Sequence, residues 1–240
     1  MIEDIESTSA EFKPLKNLQG ALVYKFAIFG LILQMLLSVT SIISSTMQIS
    51  FLQKVQNEYY ESESEMEEAA ISNEMRHAGI GFAWLGVYAV TGVFILVWIF
   101  KAHKNAIDFG IKKQFTPGWA VGSFFVPFIN LLRPYQAMIE VYSCSKSPSG
   151  WDSTNKLNMN YLLKKPPVFM RVWWVLWIST TGFDQLLFKW NPELIEDFIK
   201  YQYCEMGSSL CHVILVISFI HVMREINKTQ KENFLVRLWR

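Results

Sequence analysis

Of the 240 residues, 51% are hydrophobic, 15% aromatic and only 18% charged, and 22 Lys and Arg nearly cancel 21 Asp and Glu to leave a formal net charge of +1. A soluble domain carries about 25% charged residues, so this composition points away from the aqueous class, and near-neutrality excludes the basic excess of a nucleic-acid binder. The three cysteines are too few and too scattered for a disulfide scaffold or a zinc module.

A membrane span needs about 20 mostly apolar residues to cover a hydrocarbon core about 30 Å thick. Four stretches meet that measure, predicting an all-α, multi-pass helical bundle with a single integral membrane domain over 1–240. The first, Leu22–Met47, has Lys25 at its mouth and only Gln34 and small hydroxyls inside. Its apolar run is far longer than the 7–15 residues of a signal-peptide core, and Glu3, Asp4, Glu6 and Glu11 precede it, so it reads as a retained anchor. The loop Gln48–His77 is acidic, with Glu58, Glu61, Glu63, Glu65, Glu67, Glu68 and Glu74. It lacks the Gly turn and ligand spacing of a calcium loop and reads as a solvated linker, helical towards Ala69 and Ala70.

The second span, Ala78–Phe100, holds no charge, and Gly79, Ala83 and Gly86 form a small-residue stripe of the kind that lets helices approach closely. A basic lead-in, Lys101–Gly110, continues that helix and is expected to stop at Gly110. The middle region, 101–167, then carries the apolar run Trp119–Leu132, too short to span and broken by Pro127, with Pro117, Pro134, Gly118 and Gly122 around it. Broken backbone at membrane depth survives only inside protein or beside a wet cavity, so residues 115–142 read as a re-entrant or interfacial segment. The third span is Val168–Phe188, with Arg171 at one end and Asp184 near the other, and the fourth is Met206–Met223, with His212 and His221.

Lys and Arg mark the cytoplasmic side. All but four of the 22, namely Lys54, Arg76, Lys189 and Lys200, fall on the termini and the middle region. Both termini and the middle region are therefore expected inside, and the acidic loop outside.

The runs Thr116-Pro-Gly-Trp-Ala-Val-Gly122, Phe125-Val-Pro-Phe-Ile-Asn130 and Arg133-Pro-Tyr-Gln-Ala-Met-Ile-Glu140, with the lead-in Phe100-Lys-Ala-His-Lys-Asn105, resemble the signature of an uncharacterised bacterial membrane family. That family is filed as domain of unknown function 4328. The resemblance is specific over Phe100–Tyr142 and implies a multi-pass protein of the bacterial inner membrane; it implies no activity.

On a 3.6-residue wheel Asn130, Arg133, Ala137 and Glu140 fall within about 80° of one another, opposite Leu131, Tyr135, Met138 and Tyr142, which predicts an amphipathic helix with one cation and one anion on its polar stripe. Pro134 fits the first helical position and would leave Arg133 as a cap. Asn130, Arg133 and Glu140, with His103 in the lead-in and Asp184 inside the third span, are the candidates for a ligand site or a polar network, since charges facing lipid need partners. Each has a structural alternative: pins that tie the segment to the bundle, an interfacial histidine, and an acid that snorkels or pairs near Lys189. His212 is expected to hydrogen-bond a neighbouring helix, and Arg171, beside Trp173, Trp174 and Trp177, to anchor an aromatic belt.

No metal site, cofactor motif or catalytic template is found: there is no His-Glu-x-x-His, Gly-x-Ser-x-Gly, phosphate-binding loop or Cys-x-x-Cys. The first expectation is a non-enzymatic membrane scaffold that binds lipids, a protein partner or a second copy, and no nucleic acid. A small transporter or channel built on the broken segment is the second. An enzyme using Glu140, Arg133 and His103 is the third.

Overall fold

A computed structural model describes residues 18–108, 115–146 and 166–238. The N-terminal arm, the Gly110 stop and the lysines between Lys146 and the third span lie outside them. The described chain is all helical: α1 (Ala21–Gln56), α2 (Glu63–Asp108), α3 (Pro117–Gly122), a 3-10 turn (Ile129–Leu131), α4 (Arg133–Lys146), α5 (Val168–Lys189) and α6 (Ile195–Leu238).

The long helices outrun their apolar stretches. α2 has 46 residues and α6 has 44, about 65–70 Å each at 1.5 Å per residue. Much of the acidic loop expected as a linker is therefore the head of α2. Ser62 caps it, its hydroxyl accepting the Glu65 amide at 3.2 Å, and Glu63 and Glu65 sit in the first turn, where the helix dipole favours acids. A short reversal at 57–62 joins it to α1, with Lys54 over the Tyr59 ring.

α1 and α2 form an antiparallel hairpin. Phe26 stacks on Phe94 at 5.3 Å, and Ser44 meets Arg76 and His77. The closest approach is at Gly30, where an added Cβ would run into the Thr91 side chain. The stripe expected to serve close packing, Gly79 and Gly86, instead lies on an open face of α2 with nothing within 4 Å of an added Cβ. α6 runs parallel to α2, its Glu205 beside His77 and its Gln230 beside Asn105. The chain must therefore return between them, and α5 brings it back antiparallel to α6: Phe169 meets the His221 ring at 4.9 Å, Trp173 stacks on Phe219 at 5.0 Å, and Asp184 reaches His212.

Among the described residues three helices, not the four expected, are long and apolar enough to cross a membrane: α1, α2 and α6. The expected third span does fold as α5, a helix of 22 residues. It falls short because Arg171, Asp184 and Gln185 interrupt it and Trp173, Trp174 and Trp177 stand where aliphatic residues would, and tryptophan favours the interface over the hydrocarbon centre. Apolar side chains turned outward along the three longer helices, such as Phe29, Phe82, Val93 and Ile217, provide the surface that lipid contact requires.

The buried core draws on α1, α2, α4, α5 and α6 together. It holds Ala27, Ile99, Ala102, Met138, Ile139, Met170, Trp173, Phe219, Met223 and Ile226.

Candidate functional site

The site region is the end of the bundle where α1 begins and α2 and α6 finish. Asn105 clamps the chain entering α1: its Oδ1 accepts the Gln19 amide and its Nδ2 donates to the Gln19 carbonyl, both at 3.0 Å. The next residue, Gly20, has a φ of 97° and sits close against the Lys101 side chain, a conformation that suits glycine. Asn105 also donates to Gln230 Oε1 at 3.1 Å, while Gln230 Nε2 donates to the Ala102 carbonyl at 2.9 Å and to Ser145 Oγ at 3.1 Å. Asn233 adds a bond to the Ser145 carbonyl. One buried amide network thus joins α1, α2, α4 and α6.

His103 lies beside this network, fully buried, with Nδ1 at 3.0 Å from the Ile99 carbonyl. α4, which packs against α2, belongs to a hairpin. α3 opens with Thr116 as cap, its hydroxyl accepting the Trp119 amide at 3.1 Å, and with Pro117 in the first turn, where no amide is needed. The chain then reverses through Pro127, Phe128 and Ile129. Phe128 has φ 62° and ψ −37°, and the Ile129 amide donates to the Pro127 carbonyl at 2.7 Å, which makes a γ-turn of the rarer, strained hand. α4 leads back, and the Phe115 amide donates to Glu140 Oε2 at 3.2 Å, pinning the two arms together.

The hairpin docks on the tryptophans of α5. Trp174 Nε1 donates to the Leu131 carbonyl at 3.1 Å, Tyr135 stacks on Trp174 at 5.7 Å, and Phe124 meets Trp177 edge-on at 6.4 Å. At the other end of α4, Tyr142 meets Phe169. Trp177 is nine positions into α5, about 14 Å along its axis, so the tip climbs well up the bundle before turning back.

These contacts place the predicted residues. α4 is not an amphipathic helix with Glu140 on an open polar stripe: Glu140 is 1% exposed, and Ala137, Met138, Ile139 and Val141 are buried with it. Packing on both the bundle and α3 covers both of its faces. Arg133 opens α4 but stays exposed, its Nη1 donating to Gln136 at 3.3 Å and its guanidinium 5.8 Å from the Phe115 ring. Phe115 therefore stands at both residues, by its ring to Arg133 and by its amide to Glu140. Asn130 lies in the 3-10 turn, its amide bonded to the Val126 carbonyl at 2.9 Å.

Asp184 is elsewhere, near the far end of α5. It takes His212 Nε2 at 2.8 Å and the Ser208 hydroxyl, and the Trp84 ring meets the His212 ring edge-on at 5.4 Å. His212 thus binds a neighbouring helix, and it is His212 and Ser208, where Lys189 was expected, that hold this acid. The amide network is what the sequence reading missed. Its signal is present in the C-terminal stretch: Ile226, Gln230, Asn233 and Phe234 share one helical face.

Comparison with curated proteins and with solved structures gives no match. The family described as Domain of unknown function (DUF4328) matches residues 61–228, from just before α2, through the whole hairpin, to well along α6, so the chain belongs to that family.

Proposed function

We propose that this chain is a non-enzymatic scaffold of the bacterial inner membrane, and that the hairpin 115–146 is a re-entrant element whose tip contacts lipid or an apolar partner within the membrane. The observation that carries this reading is the exposure of the tip. Phe125, Phe128 and Leu132 are 70%, 86% and 62% exposed, although Phe124 and Tyr135 beside them pack on the α5 tryptophans. A strained γ-turn that throws an aromatic ring outward is worth its strain when the ring has somewhere apolar to go.

The helix directions support a common side for the two ends, since Gln19, Asn105 and Gln230 meet at one end of the bundle. The Lys and Arg bias makes that end cytoplasmic. Glu140 and Arg133 are committed to different atoms of Phe115, which leaves an enzyme built on that pair without a common substrate position. A small transporter or channel is the second reading, favoured by the broken backbone at Pro127 and Phe128.

A photo-reactive amino acid in place of Phe128, activated in native membranes, tests the proposal. Cross-links to lipid or to a membrane protein are expected. Efficient labelling of a cysteine at 128 by a water-soluble maleimide in permeabilised cells would show that the tip faces water, and would reject it.

A further inference from the structure

The far half of the α1–α6 contact carries polar side chains that the hairpin does not explain. On α1, Gln34, Ser38, Ser41, Ser45 and Gln48 recur at steps of four and three and so share one face. On α6, Gln202, Glu205, Ser209 and His212 recur at steps of three and four and likewise share a face. The two helices pack along one another. They are antiparallel, with Tyr24 against Arg224 towards one end and Ser44 joined through His77 to Glu205 towards the other. That register sets Gln48 opposite Gln202, Ser45 opposite Glu205, Ser41 opposite Ser209 and Ser38 opposite His212.

Within this seam Ser45 Oγ, Gln48 Oε1, Gln202 Oε1 and Glu205 Oε2 are buried without a hydrogen-bond partner. Ser45 is 0% exposed and Gln202 6%. Buried acceptors are normally satisfied, so unpartnered oxygens on facing positions call for a common occupant. Of the nearby cationic groups, His77 reaches only the other Glu205 oxygen, with Nε2 at 3.3 Å, which leaves Oε2 to the seam, and Arg76 donates to Ser44 and to Asn73. Asp184, the next acid along the bundle, is held by His212 and Ser208.

Carboxylate, amide and hydroxyl oxygens, with no nitrogen or sulfur donor, suit a hard cation. A single carboxylate suits a monovalent ion, because calcium takes six to eight oxygens and usually several acids. We propose that Ser45, Gln48, Gln202 and Glu205 bind a monovalent cation of sodium size between α1 and α6, reached from the end of the bundle that bears the acidic head of α2. The glutamates of that head would raise the local cation concentration. The inference does not depend on what the hairpin contacts.

The test is thermal unfolding of the full chain in lipid nanodiscs, with sodium chloride exchanged for choline chloride at constant ionic strength. The unfolding midpoint should rise saturably with sodium. Glu205→Gln should raise the half-saturating sodium concentration at least about tenfold, Ser45→Ala and Gln202→Leu should raise it as well, and Thr46→Ala, on the outward face of α1, should leave it unchanged. Coincident midpoints in sodium and choline would show that water alone satisfies these oxygens and would overturn the proposal, as would a wild-type sodium response in Glu205→Gln. If Glu205→Gln does not fold, the same criterion applies to Ser45→Ala and Gln202→Leu.

Discussion

Asn105, near the end of α2, holds the backbone of Gln19, just ahead of α1, by two hydrogen bonds of 3.0 Å. An amide side chain here imitates a strand partner, satisfying both polar groups of one residue at once. Asn105→Leu removes both bonds and leaves Gln230 Oε1 without its donor. The loss expected is about 2–4 kcal/mol, from about 1–3 kcal/mol for each buried group left unpaired. Denaturant unfolding in mixed micelles reads it; an unchanged midpoint would mean the clamp is ornamental.

The Gly30–Thr91 approach sets the spacing of α1 and α2. Gly30→Val should loosen the hairpin by about 1–3 kcal/mol through overpacking. Thr91→Ala on that background should restore part of the loss, because it removes the atoms the new side chain meets. Absence of any rescue would place the fault elsewhere in α1.

Asp184 and His212 tie α5 to α6. A double-mutant cycle with Asp184→Asn and His212→Gln should give a coupling of about 0.5–2 kcal/mol, the range for polar contacts between membrane helices. Additive single effects would show the pair to be incidental.

Trp174 and Phe128 test the two faces of the hairpin. Trp174→Phe keeps the stacking surface and removes the donor to the Leu131 carbonyl, so a loss of about 1 kcal/mol is expected. Phe128→Gly should instead stabilise the isolated protein by about 1 kcal/mol, because glycine accepts a positive φ freely. With the photo-reactive residue placed at Phe125 instead, the same variant should lose the cross-links expected at the tip if the Phe128 ring serves membrane contact. Stabilisation without that loss would separate the turn from the proposed role.

Orientation has its own check. A cysteine at Ser62 should react with an impermeant reagent from outside the cell, and one at Ser147 only after permeabilisation. The reverse pattern would invert the bundle.

That α1, α2 and α6 are long and apolar enough to cross a membrane was legible because length and apolarity are local properties. The break at Pro127 was legible for the same reason, since proline and glycine act on their own backbone. α5 was misread as a span of the same kind because its tryptophans count as hydrophobic by type yet are not hydrocarbon-seeking. Glu140 was placed on an open stripe because the helical wheel shows which residues share a face, not which faces are covered, and α4 is covered on both. Asn105 and Gln230 lie 125 positions apart, and no local pattern announces that pairing.

α2 runs without interruption from the glutamates at its head to Asn105 near its end. A tilt of that head therefore meets no loop that could absorb it before the clamp on Gln19. The Ser62 cap and the Gln19 clamp thus act on opposite ends of one continuous rod.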